Sequence, residues 1–165
     1  MKIAVLAAAV FFAASALAND TSNTTEPVDR SGIYYCRPLA TAGMAHDETT
    51  DAWNATTFKT PDDGISIKIR SLRIAGPDYS KAWVYTVSLK TPKTGDYRAC
   101  MNQEFGYEIV SWAERVDCRT IPERYIFDLE YLKYEVWSEG SYMQPKDNQT
   151  FGSPYMQLGR CEKVD

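Results

Sequence analysis

Four cysteines, Cys36, Cys100, Cys118 and Cys161, constrain the fold of this chain more than any other feature. Their weight comes from the segment ahead of them, which addresses the chain to an oxidising compartment. Lys2 supplies a positive n-region, Ile3 to Ala14 an apolar core, and Ala16-Leu17-Ala18 the small residues that a signal peptidase reads. Cleavage is expected between Ala18 and Asn19. A membrane anchor is the competing reading, but the run falls short of the about 20 apolar residues a bilayer span requires. Neither a basic flank nor a second apolar run follows it. An even number of cysteines after export predicts two disulfides. Three pairings are open. The preferred one clamps the domain ends through Cys36–Cys161 and closes a local loop through Cys100–Cys118. A zinc site is disfavoured, because no C-x-x-C knuckle occurs and His46 is the only histidine.

Removing 18 of the 165 residues leaves 147, the size of one domain, and moves the formal charge from −4 to −5 as Lys2 departs. An acidic protein of this kind is repelled over long range by nucleic acid and anionic lipid, which disfavours nonspecific binding to either and leaves only a local basic patch to attract them. Export also predicts sugar. The triplet N-x-S/T stands at Asn23, Asn54 and Asn148, each in polar sequence. Residues 19–30 are polar and threonine-rich and read as a flexible arm, with a single domain over 31–165.

The domain reads mainly as strands. Gly64 to Arg70 alternates, with Ile65, Ile67 and Ile69 on one face and Lys68 and Arg70 on the other, and the pattern extends towards Ile74. Gly76-Pro77-Asp78 marks a turn, and Ala82 to Lys90 alternates again. Shorter strands are expected at Gly32 to Cys36, Tyr97 to Met101 and Tyr155 to Cys161, with one long β-rich segment from Tyr107 to Cys118. Short connections favour an antiparallel sheet over βαβ units. Two segments read as helical. Around Asp47 to Ala55, Thr50 or Asp51 would cap a turn anchored by Trp53, inside an otherwise loop-like stretch from Pro38 to Pro61. Over 121–138, Thr120 with Glu123 resembles a capping box, Pro122 suits a first turn, and Tyr125, Leu129, Leu132 and Val136 share a helical face. Alternation of Tyr125, Phe127, Leu129 and Tyr131 competes with that reading. The expected class is α+β, an antiparallel sheet with one or two packed helices.

Catalytic chemistry is sparse. A hydrolase triad needs an imidazole between a nucleophile and an orienting group, and His46 lies in a small-residue stretch without a nucleophile elbow. Oxidised cysteines leave no thiolate. Paired carboxylates could hydrolyse a glycoside, and the candidates are Asp128 with Glu130, Glu104 with Glu108, and Asp62 with Asp63. Each has a plainer reading as a turn or a solvated face. No catalytic residue, metal ligand or cofactor is therefore assigned. Lys68, Arg70 and Arg73, with Lys90 and Lys93 nearby, form a candidate partner-binding patch, weighed against ordinary protection of a sheet edge. Tyr34, Tyr35, Trp53, Trp83, Trp112 and Trp137 are either core or a sugar or interface platform.

The leader, the arm, Ile33-Tyr34-Tyr35-Cys36-Arg37-Pro38, Tyr97-Arg98-Ala99-Cys100 and Leu158-Gly159-Arg160-Cys161 together resemble the small secreted effectors of plant-infecting ascomycete fungi. Within that group the chain is similar to leaf-mould extracellular proteins related to the LARS (avirulence-suppressing) effectors. The resemblance spans Ser31 to Asp165. It implies an antiparallel sheet of about four strands with packed helices, held by two or more disulfides. It also implies a noncatalytic virulence role in the host apoplast or after uptake, through a host plant protein or immune receptor that recognises the chain or is masked by it. A monomer is expected. Secreted sugar- or ligand-binding β-domains and small carboxylate glycosidases are the alternatives.

Overall fold

The structure, a computed structural model, describes residues 27–76, 82–102, 106–111, 114–140 and 152–165. The leader, Asn23, Glu104, Trp112, Asn148 and the Pro77-Asp78 turn lie outside them. The described residues are all strand and turn, which overturns the α+β expectation. Ten strands run in chain order: β1 Gly32–Asp47, β2 Ala52–Thr57, β3 Ile65–Ile74, β4 Trp83–Lys90, β5 Arg98–Cys100, β6 Ile109–Val110, β7 Arg115–Thr120, β8 Glu123–Asp128, β9 Lys133–Ser138 and β10 Tyr155–Lys163.

The segment 121–138 is not a helix but the β8–β9 hairpin with its approach. Alternation won over the helical face because Tyr125, Phe127 and Leu129 all enter the core, as do Tyr134 and Val136 across the turn. Thr120 and Glu123 pair across a tight turn at Ile121-Pro122, whose peptide bond is cis, instead of capping a helix. The helical turn expected around Asp47 to Ala55 is the tip of the β1–β2 hairpin. There the Asp47 carboxylate accepts the Thr49 and Thr50 amides, and Asp51 adopts a φ of 54°. Most of the stretch from Pro38 to Pro61 is therefore strand, not loop. The long segment Tyr107 to Cys118 divides into β6 and β7, with Glu114 at a φ of 60° just before β7.

The sheet order is β5-β4-β3-β1-β10-β9-β8-β7, all antiparallel, with β2 beside the far end of β1 and β6 following β5 along the edge of β4. The two end strands meet. Met101 and Arg119 exchange both backbone hydrogen bonds, at 3.0 and 2.6 Å, beside the Cys100–Cys118 disulfide. The sheet thus closes into an up-and-down barrel of eight principal strands, each beside its neighbour in the chain apart from the short β2 and β6. Closure removes the exposed edges of an open sheet. One continuous core fills the interior, from Ile67, Ile69, Val87 and Leu89 through Val116 and Phe127 to Tyr134. Cys36 and Cys161 face each other across β1 and β10 and are bonded, so the structure holds the end-to-end plus local pairing preferred above. Among the described residues no helix is long and apolar enough to cross a membrane.

Candidate functional site

The barrel's two ends differ. One is closed by the segment just before β1. The Arg30 amide donates to the Tyr85 hydroxyl at 3.0 Å, and the Tyr34 hydroxyl donates to the Arg30 carbonyl at 2.6 Å. The Arg30 guanidinium meets the Glu114 carboxylate at 2.5 Å, and the Trp83 indole donates to the Pro27 carbonyl at 2.9 Å. Residues 27–30, the last part of the expected arm, are thus bonded across this end.

At the other end the described residues leave a mouth of about 220 Å³. Strand period places its lining. Tyr125, Val136 and Gln157 are neighbours on β8, β9 and β10, and Tyr155 lies one step nearer the rim. Ile65 begins β3, while Pro61 and Asp63 precede it and Thr91, Pro92 and Lys93 follow β4. Glu123 opens β8 in phase with Tyr125 and Phe127, so it faces inward at the rim. The hydroxyls of Tyr125 and Tyr155 each donate to a different oxygen of its carboxylate. Burial, and after it the Glu123 charge with its hydrogen bond, raises both phenols well above their ordinary range, so both remain protonated donors. Gln157 is fixed from below: its carbonyl accepts from the Tyr134 hydroxyl at 3.2 Å and its amide donates to Thr41 Oγ1 at 3.2 Å. A carboxylate, two phenols and an amide thus surround an apolar pit, the combination of groups that small-molecule sites use.

The residues singled out from the sequence are dispersed. Lys68 and Arg70 stand on the outside of β3 and, with Lys163, line a shallow groove of about 680 Å³ beside Asp165. Lys68 also lies over the Tyr97 ring, 6.0 Å from its centre. Arg73 is elsewhere engaged, with Glu108 at 2.5 Å, a contact that lowers the Glu108 pKa chiefly by its hydrogen bond. Lys93 belongs to the mouth and Lys90 is exposed at the end of β4. The carboxylate candidates do not come together as pairs: Asp128 accepts the Glu130 and Tyr131 amides, Glu108 pairs with Arg73, and of Asp62-Asp63, which precedes β3, Asp63 lines the mouth. His46 is half-buried in β1, 3.1 Å from Asp51 and beside the Trp53 ring, rather than in a solvated loop. Trp53, Trp83 and Trp137 sit on three separate strands, and Tyr34 is core. Asn54 is exposed on β2. Among the described residues no three His, Cys, Asp or Glu side chains converge as a metal site would require.

The chain matches no protein-family model, no curated protein and no solved structure. No relative therefore bears on the effector resemblance, and the sheet of about four strands with packed helices that it implied is not the fold of this chain. Function has to be read from the chain's own geometry. The residue that sequence reasoning missed is Glu123, taken there as half of a capping box. Its signal was present all the same: a carboxylate in phase with two inward aromatic residues.

Proposed function

We propose that this protein is an exported, noncatalytic binding barrel that receives a small molecule in its mouth. The observation that carries the reading is the cavity between Ile65, Val136 and the Glu123–Tyr125–Tyr155 cluster at the open end of a closed barrel. An eight-stranded barrel has an interior that side chains fill or that admits one small ligand. Here the lower part is filled and the upper part is not. Export is supported by the leader pattern and by the two disulfides. A binding role rather than a hydrolytic one is supported by Glu123 being held between two phenols. The test is to secrete the protein from a eukaryotic host, sequence its N-terminus and titrate it with small-metabolite pools by NMR. An N-terminus at Asn19 and shifts confined to Ile65, Tyr125, Val136 and Tyr155 are expected. Unchanged binding by Val136→Trp, which fills the cavity, would sink the reading.

A second reading, a fungal virulence effector that meets a host protein, is favoured by the convergence of Lys68, Arg70 and Lys163 on the outer groove. Such a groove suits an acidic partner surface. Infiltration into resistant and susceptible host lines tests it. Response, or suppression of a response, in at least one line should disappear with Lys68→Glu and Arg70→Glu. Silence in every line removes the effector reading and leaves the barrel mouth untouched.

A further inference from the structure

Resting on the reading of the mouth as a small-molecule site, we propose that its occupant is a small organic ammonium ion. Glu123 holds the nitrogen, and the carbon chain lies against Ile65 and Val136.

The argument begins with where the protons are. Tyr125 and Tyr155 each own one hydroxyl proton, and each spends it on Glu123. A carboxylate has about four acceptor positions over its two oxygens, so two donors leave acceptor capacity unused. The phenolic oxygens also keep lone pairs but have no second proton. Gln157 commits its carbonyl to Tyr134 and one of its two amide N–H groups to Thr41. Around Glu123 the unused positions are therefore acceptors, and an occupant that brings donors satisfies them. An ammonium brings three, with a positive charge that makes each bond to a carboxylate stronger than its neutral counterpart.

Charge and shape agree with this. Among the described residues of the lining, two carboxylates, Asp63 and Glu123, face a single ammonium, Lys93. An anion entering the mouth would bring like charge and further acceptors to Glu123, to which both phenols already donate. Pro61, Ile65, Pro92 and Val136 supply the rest of the wall, which suits hydrocarbon. A space of about 220 Å³ lies below the about 300–1,000 Å³ of sites for drug-sized ligands, so the chain is short.

Butylammonium, butanoate, butanol and glucose are the probes, titrated into the full exported protein by NMR and calorimetry. Butylammonium should shift the mouth residues, and butanoate, butanol and glucose should bind at least tenfold more weakly. Glu123→Gln keeps the shape and an acceptor for a phenol but loses the charge, and it should weaken butylammonium at least tenfold. Lys93→Gln removes the lone opposing charge and should tighten it several-fold, a gain that damage to the fold would not produce. Butanoate, butanol or glucose binding in the mouth as well as butylammonium, or Glu123→Gln without effect, overturns the ammonium assignment while leaving a binding site. No binding by any probe overturns the ammonium assignment and counts against the mouth as a site.

Discussion

Gly159 lies where β10 passes beneath the Tyr134 ring. A methyl group built there would stand 2.1 Å from Tyr134 Cε1 and 2.3 Å from the Arg37 carbonyl oxygen, with β1 on one side and β9 on the other. The absent side chain is what lets the tyrosine cross the strand and send its hydroxyl to Gln157. Gly159→Ala should therefore lower the unfolding free energy by about 1–3 kcal/mol, the usual range for overpacking a filled interior. Gly76 is the control, since nothing stands within 4 Å of a methyl group there and its φ is ordinary. Gly76→Ala should stay within about 0.5 kcal/mol of the parent. Urea midpoints compare the two directly, and equal effects would refute the packing account. At this scale Glu123 is the counterpart of Gly159: a polar residue, not a missing one, at an inward position.

Strand pairing decides the next level, and the weakest join in the barrel is the seam. Among the described residues, one two-way backbone pair at Met101 and Arg119 links strands that otherwise belong to opposite ends of the sheet order. The Cys100–Cys118 bond spans 18 residues beside it, and a loop of that length is worth about 3 kcal/mol by chain entropy. Replacing both cysteines by alanine should cost about that much. Amide exchange should rise first at Met101 and Arg119, ahead of the β1–β10 pairs that Cys36–Cys161 clasps. Uniform loss of protection would place the seam inside the general cooperative unit instead. The central strands were legible in the sequence because one face is buried: Ile65, Ile67 and Ile69 cannot alternate otherwise. The β8–β9 hairpin was not, for a definite reason. Tyr125 and Leu129, like Leu132 and Val136, are four residues apart, a spacing that places residues on one face of a helix and equally on one face of a strand. A cap-like Thr120 and Glu123 then tipped the balance to helix. Closure and the mouth were hidden for another reason, since both depend on Met101 meeting Arg119 and Tyr155 meeting Glu123, pairings that no local pattern encodes.

For the molecule as a whole, the described barrel carries buried and half-buried phenols from its sealed end to its mouth. Burial pushes Tyr85 at the sealed end up to about 12, against the opposing pull of the Arg30 amide, and burial likewise raises Tyr34. Tyr125, Tyr134 and Tyr155 are raised as well, each chiefly by burial. An unfolded tyrosine loses its proton near pH 10.0. Above that pH the folded chain binds more protons than the unfolded one, so the unfolding free energy must fall as pH rises. Below it both states hold the phenolic protons, and these residues contribute no slope. Urea unfolding should therefore show no contribution from these phenols up to about pH 10.0 and a steepening loss from there towards pH 12. Phenolate absorbance followed alongside should show Tyr34, Tyr85, Tyr125, Tyr134 and Tyr155 ionising with unfolding rather than before it. Native-state titration of Tyr34 and Tyr85 near pH 10.0, with stability unchanged, would mean that water reaches them and that the sealed end is not sealed.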